Sequence, residues 1–163
     1  MTPLQQLSDR YDPDGNVNLA GFSASLATYA ISAAALVAAS RATGGVPARY
    51  SLGDLVVGGV ATHKFSRLIA KGSVASPLRA PFTRFEEAAG ASEHVEVPRG
   101  EHGVRHTVGE LLTCPFCLGV WIATAYVVGL GVAPRAARGW AAVFAVTGVS
   151  DFLQQAYARL SDG

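Results

Sequence analysis

Charge is scarce in this sequence. Asp, Glu, Lys and Arg together make up 15% of its 163 residues, while 50% are hydrophobic; a typical soluble domain is about 25% charged. The shortage is also uneven. Long tracts carry no charge at all, and seven of the 13 Lys and Arg fall between Lys64 and Arg105. Apolar spans joined by polar loops have this layout. One evenly solvated domain of this length does not.

Basic clusters are missing as well. The net charge is +1 and no run of basic residues interleaves with aromatics, so nucleic acid is excluded as a partner. The segment from Met1 to Asn18 lacks the basic start of a secretory signal, since Asp9, Asp12 and Asp14 outweigh Arg10. The apolar run after it is too long for a signal core and shows no cleavage site. We read it as a retained span behind a polar tail, residues 1–18. No Ser/His/Asp order, phosphate-cradling glycine loop or pair of His four apart on a clear helix is present, and no repeat occurs. The Gly58–Gly59 pair reads as helix packing. Nothing here names a catalytic residue, and the reading leans away from an enzyme.

What is present is apolar length. Stretches run from Leu19 to about Ser40, Leu52 to about Ala70, Pro115 to Val132, and Gly139 to about Tyr157. A span of about 20 residues crosses a ~30 Å hydrocarbon layer. The first stretch is rich in Ala, Gly and Ser, which let helices approach closely in lipid; the same composition would suit a buried helix of a soluble bundle. The second is charged in its lower half by His63, Lys64 and Arg67. The expected fold is therefore all-α: one membrane domain, residues 19–163, with about four transmembrane helices, or three if the second stretch does not cross.

A linker, residues 71–107, divides the spans. In its first part Arg79 and Arg84 alternate with Leu78, Phe82 and Phe85. Arg79, Phe82, Arg84 and Phe85 are expected to lie on a headgroup surface; the alternative is a Pro-broken loop. The part from Glu86 to Gly103 has few apolar residues and is expected to stay mobile. With four spans, the tails and the linker share one face and hold nine basic residues, against four (Arg41, Arg49, Arg135 and Arg138) on the other. Positive charge gathers inside. Both termini and the linker are thus placed in the cytoplasm, and the protein in the inner or plasma membrane.

Two groups of residues have chemistry. Cys114 and Cys117 stand either side of Pro115, at the start of the third stretch. Proline suits the first position of a helix, so Cys114 becomes its cap, with Cys117 one turn in. The pair could be a redox dithiol, half of a zinc site, or small filler in a packed helix start. Zinc would need two more ligands, from His102 and His106 or from a second copy; we expect no cofactor. The second group is Lys64, Arg67, Glu110 and Asp151. Lys64 and Asp151 fall at similar depth in parallel spans, so Asp151 is expected to pair with Lys64 or Arg67 near the inner face. It would be either a polar site or a staple between helices.

Three segments carry a resemblance: "KFSRLIAKGSVASPLRAPFTRFE", "GELLTCPFCLGVW" and "SDFLQ". From about Thr62 to Tyr157 the chain resembles bacterial domain-of-unknown-function family 1360. The resemblance implies a small multi-span membrane protein, with some relatives labelled sporulation-associated, and no activity, cofactor or catalytic residue. Two functions stay open. One is a non-enzymatic membrane protein whose partners are the bilayer and another membrane protein or itself. The other is a membrane thiol redox or metal-binding protein using Cys114 and Cys117.

Overall fold

The computed structural model describes residues 3–42, 44, 50–90 and 92–161. Among the described residues seven α-helices follow in order: α1 (Pro3–Tyr11), α2 (Leu19–Ala42), α3 (Leu52–Lys71), α4 (Ser76–Arg79), α5 (Val104–Thr113), α6 (Pro115–Val132) and α7 (Pro134–Ser161). A 3₁₀ turn, Ser73–Ala75, joins α3 to α4.

Local chemistry sets the helix ends. Asn18 accepts a 3.0 Å bond from the Gly21 amide and so caps α2. Ser51 does the same for α3 through the Asp54 amide, at 3.0 Å. Both satisfy amides that have no partner inside the helix. Cys114 caps α6, its sulfur accepting from the Cys117 amide, and Pro115 takes the first helical position. Pro134 opens α7, where its missing N–H costs nothing. The fourth helix thus begins before Gly139, the start expected from hydropathy. Arg135 and Arg138 mask its first turn in a hydropathy reading, but proline at the helix start is the stronger signal.

Among the described residues, two helices are long and apolar enough to cross a membrane, α2 and α6. Helix α3 lies at the centre, packed along α7 and α6. Its contacts are made by small residues. Ala61 and Ala141 are fully buried beside Tyr126 and Leu130. A β-carbon at Gly148 would sit 3.3 Å from Val60 and Lys64. Phe65 packs on Phe144 and Trp140, with ring centroids 4.6 and 5.4 Å apart. Trp121 meets Tyr29 edge-on at 5.2 Å. Both tryptophans are thus packing residues.

The all-α expectation needs correction. The linker folds into an antiparallel hairpin of β1 (Thr83–Ala88) and β2 (His94–Pro98), with Thr83 opposite Pro98 and Ala88 opposite His94. The register shifts between Phe85 and Glu87. Near the tip, Gly90 and Ser92 have φ of 68° and 62°, a left-handed conformation that glycine takes without strain. The segment expected to be mobile is therefore ordered over β2, because its backbone pairs with β1 and the buried Glu96 holds it to α4. Gly109 on α5 lets the hairpin dock, since a β-carbon there would lie 2.7 Å from the Phe82 carbonyl.

Candidate functional site

The hairpin is anchored by Arg79, which is fully buried. Its Nε donates to Glu96 at 3.0 Å, and Nη1 donates to the Ile69 and Gly72 carbonyls at 2.7 and 2.9 Å. The Thr83 hydroxyl donates its one proton to Glu96 and lies 3.0 Å from the Arg79 carbonyl. Charge and hydrogen bonds are thus matched on every side, which a buried guanidinium requires. Burial alone would raise the Glu96 carboxyl, but the Arg79 guanidinium and the Thr83 hydroxyl hold it below the usual carboxylate value. The expected headgroup contact by Arg79 is therefore wrong: the guanidinium clamps the end of α3 to the hairpin. Phe82 is half-buried, whereas Arg84 and Phe85 are exposed on β1, with Phe85 edge-on to His94 at 5.0 Å.

Beside this anchor lies a cavity of about 900 Å³, framed by α3, α7 and the hairpin tip. Helix α3 supplies His63, Lys64 and Arg67; α7 supplies Asp151, Phe152 and two glutamines; the hairpin supplies Glu93. Lys64 pairs with Asp151. Arg67 grips Glu93 with two bonds, both 2.8 Å. The ring of His63 stacks on Phe152 at 6.1 Å. These residues meet because positions 63, 64 and 67 share one face of a helix.

The expected polar cluster forms only in part. Glu110 does not line this cavity. It accepts a 2.7 Å bond from Asn18 and lies 3.6 Å from His106, so it ties the start of α2 to α5. Arg67 turns to Glu93, a residue that the sequence analysis did not single out. Glu93 and Glu96 were hidden in a segment whose composition reads as solvated. The visible signal was the alternation His94-Val95-Glu96-Val97.

Cys114 and Cys117 are joined by a disulfide, with Cα atoms 5.3 Å apart. Bonded sulfurs are not zinc ligands, and the bonded pair is also the oxidised form that a Cys-x-x-Cys dithiol would take. Among the described residues, no three His, Cys, Asp or Glu gather as a metal would require. His106 instead bonds the Gly100 carbonyl at 2.8 Å.

Comparison with known proteins agrees with the segments that hold this site. The model of a family described as "Protein of unknown function (DUF1360)" matches residues 57–157, from the middle of α3 to near the end of α7. The chain is 31% identical over 103 residues to the "Sporulation protein YjcA" of Bacillus subtilis (strain 168), covering 61% of this chain and 86% of that protein. No solved structure matches. The matched region takes in the hairpin, the cavity and the disulfide but leaves out α1 and α2, and on its strength the chain belongs to the DUF1360 family.

Proposed function

We propose that the protein is a multi-span membrane protein, with α3 and α7 crossing the bilayer beside α2 and α6, and that it acts by binding lipid or a partner rather than by catalysis. One observation carries this reading: the bundle is sorted inside out. Its buried apolar residues are chiefly alanines, with Leu118, Tyr126 and Leu130. Its exposed ones include Phe22, Ile31, Leu55, Phe116, Val146 and Phe152. Water would drive these large side chains inward, and so large an exposed apolar surface marks a membrane or an interface. In lipid there is no such drive, and small residues gather between helices instead.

Two further features support it. Thr28 and Thr147 point outward, and their hydroxyls donate to carbonyls four residues earlier at 2.8 and 3.1 Å. A hydroxyl facing hydrocarbon needs such a partner. Two ion pairs also join α3 to α7, Asp54 on Arg138 and Lys64 on Asp151. Paired ions are the form in which charge is tolerated within spans.

The balance of basic residues favours the cytoplasm for both termini and the hairpin. Arg49, one of the four basic residues on the opposite face, lies outside the described residues. The relative's name makes a sporulation phenotype the first cellular readout to try.

The deciding experiment is biochemical. The chain should stay in the membrane pellet through alkaline carbonate and become monodisperse only in detergent. A reporter at the hairpin tip should be reached from the cytoplasmic side alone. A monodisperse chain in plain buffer would reject the proposal.

A further inference from the structure

We infer that the cavity between α3, α7 and the hairpin tip holds the headgroup of a zwitterionic phospholipid carrying a phosphate and a primary ammonium, of the phosphatidylethanolamine class. The inference rests on the membrane reading and names the lipid for it.

The argument begins with charge. Lys64 and Arg67 face Asp151 and Glu93 across the cavity. Two cations meet two anions, so the set is formally neutral. A pocket built for a simple anion would carry surplus positive charge. An alternating neutral set suits a ligand that carries both signs.

Hydrogen-bonding capacity agrees. An ammonium has three N–H donors and a guanidinium five. Lys64 spends one on Asp151, and Arg67 spends two on Glu93. The two carboxylates likewise keep acceptor sites beyond those bonds. Donors for a phosphate and acceptors for an ammonium are thus present side by side.

Size and walls point to a lipid rather than a free solute. The volume of about 900 Å³ lies within the roughly 300–1,000 Å³ of small-molecule sites. Leu68, Val74 and Phe152 add apolar lining from three elements, which fits a glycerol and the first methylenes of the acyl chains. At a rise of about 1.5 Å per residue, Gly72 at the cavity mouth lies roughly 30 Å from the start of α3, where headgroups begin. Lys64 and Arg67 lie deeper and would reach toward the phosphate.

The test uses the full chain in mild detergent, with native mass spectrometry to read retained lipid. Phosphatidylethanolamine should be retained at least about tenfold over phosphatidylglycerol, which lacks the amine, and phosphatidylcholine, which lacks its N–H donors. Glu93→Gln should lower that preference about tenfold, the effect of one lost charge-assisted hydrogen bond. Where that variant does not fold, Asp151→Asn carries the same expectation. Glu101→Gln, on the exposed loop before α5, should change nothing. Soluble phosphoethanolamine should not displace the lipid. Equal retention of the three lipids, an unaltered preference in both cavity variants, or displacement by soluble phosphoethanolamine would overturn the inference. Each of these is measured on protein already shown to need detergent, so the membrane reading would survive it.

Discussion

Tyr126 lies across Gly58. Its ring fills the space that a β-carbon at position 58 would need, and its hydroxyl donates a 2.9 Å bond to the Asp54 carbonyl one turn earlier. Gly58→Ala should displace the ring and lose that bond, at a cost of about 1–3 kcal/mol. Gly59 has nothing within 4 Å of its β position. Gly59→Ala should be neutral or stabilise the helix by up to about 1 kcal/mol. Thermal unfolding of both variants in detergent would separate close packing from helix propensity, and equal midpoints would show that the ring yields without cost.

The buried pair of Arg79 and Glu96 gives a second test. Arg79→Met removes one partner and leaves a carboxylate stranded, at about 3–5 kcal/mol. Replacing both, with Arg79→Met and Glu96→Leu, should recover most of the loss, because an apolar pair does not pay for desolvation. If the double variant is as unstable as the single one, the bonds from Arg79 to the Ile69 and Gly72 carbonyls are the important ones.

Acid should act through the same carboxylate. The Glu96 value is lowered from 4.5 on folding, so its contribution to stability is complete above that unfolded value. It is lost as pH falls from there through the lower folded value, where the proton binds. Between about pH 6 and about pH 3 the wild type should lose more stability than Glu96→Gln, which has no such proton to take up. Parallel losses would mean that other carboxylates set the acid limit.

Lys64 and Asp151 come from distant parts of the sequence and meet between parallel helices. Asp151→Asn should cost roughly 3 kcal/mol, because it leaves the Lys64 ammonium unpaired within the proposed span. Lys64→Asp combined with Asp151→Lys should restore most of what either change loses. Failure of the exchange would mean that the order of charges matters, as a bound ligand would require.

The disulfide predicts a chemical result. Unreduced protein should take up no maleimide, and reduced protein two equivalents, one for each of its two cysteines. Cys114→Ser with Cys117→Ser keeps an oxygen able to cap α6. Its unfolding midpoint should therefore match that of the reduced wild type. A much lower midpoint would mean that the sulfurs do more than cap and cross-link the first turn.

The four long helices, α2, α3, α6 and α7, could be read from local pattern; α1, α4, α5 and the hairpin could not. Leu52 and Pro115 begin helices where hydropathy and proline placed them, because span length and caps are local properties. The strand from His94 to Pro98 carries a glutamate on its inner side. Composition assigns such a residue to water. Only Arg79, seventeen positions earlier, makes burial tolerable, and no short window contains both. A still longer separation, 26 positions, hid the Arg67–Glu93 pair. Lys64 and Asp151 could be matched because counting helical rise from two span starts is a long-range argument that a sequence allows. Glu110 instead belongs to α5, which ends at Thr113 before α6 begins, and there it meets Asn18.

The packing of α3 also sets where mutation should be tolerated. In a protein folded by water, the outer surface varies freely and the large core residues resist exchange. On the membrane reading proposed above, Val56, Val146 and Leu153 could trade places with other greasy side chains at little cost, because each faces outward. Ala61, Ala141 and Gly148 have no room for an added methylene. A saturation scan of this protein should therefore look like the negative image of a soluble one, with its strictest positions held by its smallest residues.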